Sequence, residues 1–159
     1  MSLAEKIQED VKSALKGGDK KKLSISRYLS SELKNFLIKE NLERELSKIS
    51  DDNFYKIVKT QVKQKRESLE FAEKVGDLVK VDDLKYDIDY LNNFLPKLMG
   101  EKETHQIIVD IINKNKFLSK DFGRIMGMLK KDYNNIDLNS ASKLVKDIFN
   151  EWVTIISKR

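Results

Sequence analysis

One proline, Pro96, stands in 159 residues, and apolar residues on both sides of it recur at intervals of three and four. That period matches the turn of an amphipathic helix and conflicts with the two-residue alternation of a strand. Leu3, Ile7, Val11 and Leu15, with Ala14 beside them, form a first stripe that Gly17 and Gly18 stop. Asp19 is placed to cap a second helix, running through Leu23, Leu29, Leu33, Phe36 and Leu37 towards Leu42. Ser50 or Asp51 caps a third, with Phe54, Ile57, Val58, Val62 and Leu69 on one side. Gly76 and Asp77 break or bend the chain, and Leu84, Ile88, Leu91 and Leu95 mark a fourth helix. Pro96 ends it, because its ring removes a donor and keeps the preceding residue out of the helical region.

The expected architecture is therefore all-α, with a boundary between Pro96 and Gly100. Residues 1–96 form a helical N-terminal domain of about four helices, and residues 101–159 a small C-terminal three-helix bundle. In the second part Ile107, Ile108, Ile111 and Ile112 share a face. Ser119 caps a helix whose Phe122, Ile125, Met126 and Leu129 point inward; Asn139 or Ser140 caps the last, bearing Leu144, Val145, Ile148, Phe149, Trp152 and Ile155. Gly123 and Gly127 fall inside the middle helix, where each glycine costs about 1 kcal/mol against alanine. A close helix approach is the compensation this predicts.

Cysteine is absent, which excludes disulfides, thiol nucleophiles and Cys-based zinc sites. No apolar run approaches the ~20 residues of a membrane span. The start, MSLAEKIQED, lacks an apolar block behind a basic one, so a signal peptide is not expected. A cytoplasmic setting is the expectation, with an organelle as the alternative if the source is eukaryotic. The net charge is +5 with a pI near 9.2, and the excess lies mostly beyond Pro96: 19 Lys+Arg against 18 Asp+Glu before it, 12 against 8 after. That balance favours a polyanion partner only slightly.

On a helical wheel Lys56, Lys59, Lys63 and Arg66 fall within about 80° of one another, opposite the apolar side of the third helix. Such a stripe can follow a phosphate backbone, since bound cations release condensed counterions. A solvated helix face has the same pattern. Lys65, counted with the stripe as a candidate nucleic-acid contact, projects instead from the apolar side, near Gln61 and Ser68. Either its stem snorkels along packed side chains, or the three polar groups line a small cleft. Arg124, Lys130 and Lys131 are further candidate nucleic-acid contacts in the C-terminal part, the last two where a helix dipole also favours cations. Lys20 to Lys22, and Lys114 with Lys116, also sit near helix ends. Tyr28, Tyr55, Tyr86, Tyr90 and Tyr133 could stack on bases, but their spacing suits packing.

His105, the single histidine, has no orienting partner in the pattern and reads as a surface or capping residue. Asp82, Asp83, Asp87 and Asp89 interleave with Lys80 and Lys85 as a charge-balanced face. No phosphate loop, nucleophile elbow or carboxylate pair is identifiable, so no catalytic residue, metal or cofactor is expected.

Several segments, in this order and spacing, resemble the YqeY family (the GatB/YqeY domain). They are Leu3, Glu5, Asp10, Lys12 and Ala14; Asp19, Lys22-Leu23-Ser24, Arg27, Leu29 and Lys34-Asn35; and Lys63-Gln64-Lys65-Arg66-Glu67-Ser68. Gly76, Asp87-Ile88, Leu91, Phe94-Leu95-Pro96, the Asp121 to Gly127 run and Leu144-Val145-Lys146 complete the set. The chain departs from the family at Asp77-Leu78-Val79-Lys80, at Ala72 and at Ile136-Asp137-Leu138. The resemblance implies a relative of the tail of the B subunit of glutamyl/aspartyl-tRNA amidotransferase, which helps hold tRNA. The family is linked to carbon–nitrogen ligase activity with glutamine as amide donor, but the catalytic body is missing here, so no ligase activity is expected. The implied partner is tRNA or another structured RNA. The alternative is a helical protein–protein adaptor, presenting an apolar groove of the C-terminal bundle beside Gly123, Gly127, Met126 and Met128.

Overall fold

The computed structural model describes residues 1–157. All regular structure among them is helical: α1 (Leu3–Gly17), α2 (Lys20–Lys39), α3 (Asp51–Val75), α4 (Leu78–Asn92), α5 (Glu101–Asn115), α6 (Phe122–Asp132) and α7 (Leu138–Ser157). Two short 3-10 turns, Leu46–Lys48 and Ser119–Asp121, were not foreseen from the periodicity. The chain divides into two compact units, one ending at Leu95 and the other beginning at Pro96.

Local chemistry sets most of the helix ends. Ser2 and Glu5 form a reciprocal capping box on α1: the Ser2 Oγ accepts from the Glu5 N–H, and the Ser2 N–H donates to Glu5 Oε2. Gly18 (φ 67°) and Gly76 (φ 73°) end α1 and α3 in the left-handed region, where a side chain would be strained. Asp19, Ser50 and Asp77 each accept a backbone N–H three residues on, capping α2, α3 and α4.

At other ends the sequence reading needs correction. The Leu15 side chain is exposed, so the buried stripe of α1 ends at Ala14. α2 stops at Lys39, followed by Asn41 at positive φ, and Leu42 is exposed. Ser119 lies in the 3-10 turn rather than capping α6, and Asp121 accepts the Leu118 N–H there at 2.8 Å. Asp137, not Asn139 or Ser140, caps α7: its carboxylate accepts from the Asn139 N–H at 3.0 Å and the Ser140 hydroxyl at 3.1 Å. Ile155 is exposed.

In the first unit Leu29, Leu33, Leu37, Phe54, Val58 and Leu91 are fully buried in one core. A small satellite of Ala72, Val81 and Leu84, with Leu69 against it, holds the far end of the α3–α4 hairpin. In the second unit Ile108, Ile125, Leu129, Val145 and Ile148 form a separate core, with Phe122 and Met126 packed against it.

Gly123 and Gly127 do not mediate a close approach. Both are exposed, and a Cβ added to either would meet nothing within 4 Å. Gly123→Ala and Gly127→Ala should therefore each stabilise the second unit by about 0.5–1 kcal/mol, through unfolded-state entropy and helix propensity. Urea denaturation checks this, and a loss of stability would show that the open face is occupied.

Candidate nucleic-acid interface

α3 buries Phe54, Val58, Gln61, Val62 and Ala72, and so turns Lys56, Lys59, Lys63 and Arg66 outward, all four exposed. From the first to the last they cover about 15 Å of helix axis. Asp52 and Glu70 share the angular position of the stripe and bound it at either end, with Glu67 beside it. Lys56, Lys63 and Arg66 take part in no ion pair among the described residues. The run at the start of α2 differs. Lys21 pairs with Asp83 at 3.7 Å and Lys22 with Asp10 at 3.6 Å, so that cluster is largely neutralised by its own fold. On α4, Asp83 and Asp87 are matched by lysines of other helices, not by the interleaved Lys80 and Lys85.

Lys65 stands apart from the stripe. Its Nζ lies 3.2 Å from Asp87 Oδ2 of α4 and 4.5 Å from the ring centroid of Tyr28 of α2. Beside it Gln61, only 5% exposed, accepts from the Tyr28 hydroxyl at 2.8 Å and donates to Glu32 at 3.4 Å. A polar chain thus ties α2, α3 and α4 together. Burial raises the Tyr28 pKa, and the nearby Glu32 charge adds to it. Ser68 is exposed and no part of this chain. The Lys65 ammonium is held in an interhelical contact, where breaking one partner leaves a half-buried charge unmatched.

The tyrosines are mostly packing residues. Tyr90 is buried, with Tyr55 and Tyr86 against the same core and Tyr133 against the second. The Tyr90 hydroxyl donates to Asp10 at 2.7 Å; burial first, and then Asp10, push its pKa far up. A raised pKa favours the neutral phenol in the fold. Its contribution is present below the ordinary tyrosine pKa of about 10 and is lost as pH rises above it, because the unfolded chain ionises first. Stability should fall from about pH 10 upward, and Tyr90→Phe should flatten that decline; denaturant titrations across this range measure it.

On α6, Arg124, Lys130 and Lys131 are exposed opposite Ile125 and Leu129, on the same face as Gly123 and Gly127. No acidic residue interrupts this face. His105 is half-buried in the second turn of α5 and caps nothing. Among the described residues no group of three His, Cys, Asp or Glu could hold a metal ion, and no helix is long and apolar enough to cross a membrane.

The segments that carried the family resemblance have structural work in this fold. Gly76 is a left-handed cap, Lys65 and Asp87 join two of the segments as an ion pair, and Asp121 orders the entry to α6. No curated protein matches the chain. A family model described as Yqey-like protein matches residues 4–149, nearly the full length, and the chain therefore belongs to the Yqey-like protein family.

Proposed function

We propose that this chain is an RNA-associated accessory protein, with tRNA as the RNA and the α3 stripe as its phosphate-facing surface. The observation that carries the reading is the set Lys56, Lys59, Lys63 and Arg66, exposed together opposite the core of one long helix. Family membership supports it, since related domains resemble the tRNA-holding tail of an amidotransferase B subunit. On this reading the chain performs no ligation alone; activating an acyl group and supplying ammonia belong to a separate catalytic body. Its working compartment is one that holds tRNA.

Four phosphate contacts give a logarithmic salt slope of about −3, so raising salt from about 50 to 200 mM weakens binding roughly 50-fold. Fluorescence anisotropy with labelled tRNA reads this directly. No salt-sensitive binding at micromolar protein ends the proposal.

A further inference from the structure

The far end of the α3–α4 hairpin carries four large apolar side chains in the open. Phe71 is 64% exposed, Val75 60%, Leu78 75% and Val79 75%, all within nine consecutive residues around the Gly76-Asp77 turn. Isolated exposed apolar residues are ordinary, but a cluster of this kind marks a contact surface. The small satellite core beneath it accounts for Ala72, Val81 and Leu84, not for these four.

Their position continues an interface the fold already uses. Ile57 packs against the first core and shares a groove with Phe36 of α2. Val75 lies 18 residues beyond it, about five whole turns, and Phe71 falls within about 40° of both. Along the nearer half of α3 this flank is bordered by α2, which runs antiparallel to it: Phe36 lines a groove with Ile57, and the Tyr28 hydroxyl donates to Gln61. α2 begins at Lys20, and Lys21 is already paired with Asp83, so α2 ends short of the tip. The flank past Ser68 thus has the geometry of a helix-packing surface without its helix.

Charge indicates what would lie there. Residues 67–83 hold six carboxylates and two lysines, whereas the preceding stretch of α3 is the basic stripe. An acidic rim around apolar anchors repels nucleic acid and favours a cationic partner. We propose that the hairpin tip is a docking site for a basic amphipathic helix of a partner protein, lying over Phe71 and Val75 in line with α2. Its apolar face covers the exposed side chains, and its lysines or arginines meet the carboxylates around Glu67 and Glu70.

The test uses the full chain and a fluorescein-labelled 18-residue peptide, with leucines at i, i+3, i+4 and i+7 and lysines elsewhere. Anisotropy should show saturable binding that weakens at least roughly tenfold in Phe71→Ser/Val75→Ser and in Glu67→Lys/Glu70→Lys. Peptides with glutamate for lysine, or serine for leucine, should not bind. Melting curves matching the wild type show that the variants fold; should the serine pair fail, Phe71→Lys alone serves. The proposal is overturned if the basic peptide does not bind, if binding ignores these substitutions, or if the acidic peptide binds as well. It is equally overturned if the tip variants instead abolish self-association in sedimentation equilibrium, or abolish binding to phosphatidylcholine vesicles, since the occupant would then be a second copy or a lipid surface.

Discussion

Alanine at Phe54 is expected to lower the melting temperature of the first unit by about 15 °C or more. Phe54 is fully buried, with its ring edge-on to Phe94 at 5.9 Å and 78°, and Phe94 in turn edge-on to Tyr90 at 5.1 Å. The three rings tie α3 to α4 and to the segment just before Pro96. Removing a buried phenylalanine costs about 3–5 kcal/mol, from lost transfer energy and the cavity left behind. Each kcal/mol shifts the midpoint of a domain under ~100 residues by roughly 4–8 °C. Total stability of about 5–15 kcal/mol leaves little margin. Phe71→Ala is the internal comparison: that ring is 64% exposed, and its loss should stay within about 0.5 kcal/mol. Thermal denaturation followed by far-ultraviolet circular dichroism decides. Equal small shifts at both sites would remove Phe54 from the core.

The contrast between these two phenylalanines shows how far periodicity carries. Phe54 sits in register with Val58 and Val62, and its burial was legible from spacing alone. So were the turns at Gly18 and Gly76, because a left-handed cap has few chemical solutions. Phe71 falls one position out of register, and its exposure follows from α2 ending short of the tip, which no local pattern encodes. Gly123 and Gly127 misled for a related reason: a glycine in a helix signals an absent side chain, not which face it leaves bare. At the candidate interface the angular grouping of Lys56, Lys59, Lys63 and Arg66 was readable, because a straight helix preserves it. The fate of Lys65 was not, since Asp87 and Tyr28 reach it from other helices, 22 and 37 positions away in sequence. The neutralised lysines at the start of α2 were hidden in the same way.

Lys63→Ala/Arg66→Ala should weaken tRNA binding roughly hundredfold near 0.1 M salt and reduce the logarithmic salt slope by about 2. Both cations are exposed and take part in no ion pair among the described residues, so their removal takes nothing from the core and releases no buried carboxylate. The loss should be uniform across tRNA species, as phosphate contacts position an RNA without reading it. Lys65→Met separates this from a general charge effect. It removes the same unit charge from the neighbouring position, yet that ammonium is committed to Asp87 and Tyr28. Lys65→Met should therefore leave the salt slope unchanged while lowering thermal stability, because Asp87 loses its partner. Arg124→Ala and Lys131→Ala test the α6 face in the same assay, each reducing the slope by up to about 1 where that face meets phosphate. A slope that responds to Lys65 as strongly as to Lys63 would mean that total charge drives the association. A slope that responds only at Lys63 and Arg66 would place the RNA backbone along the outer face of α3.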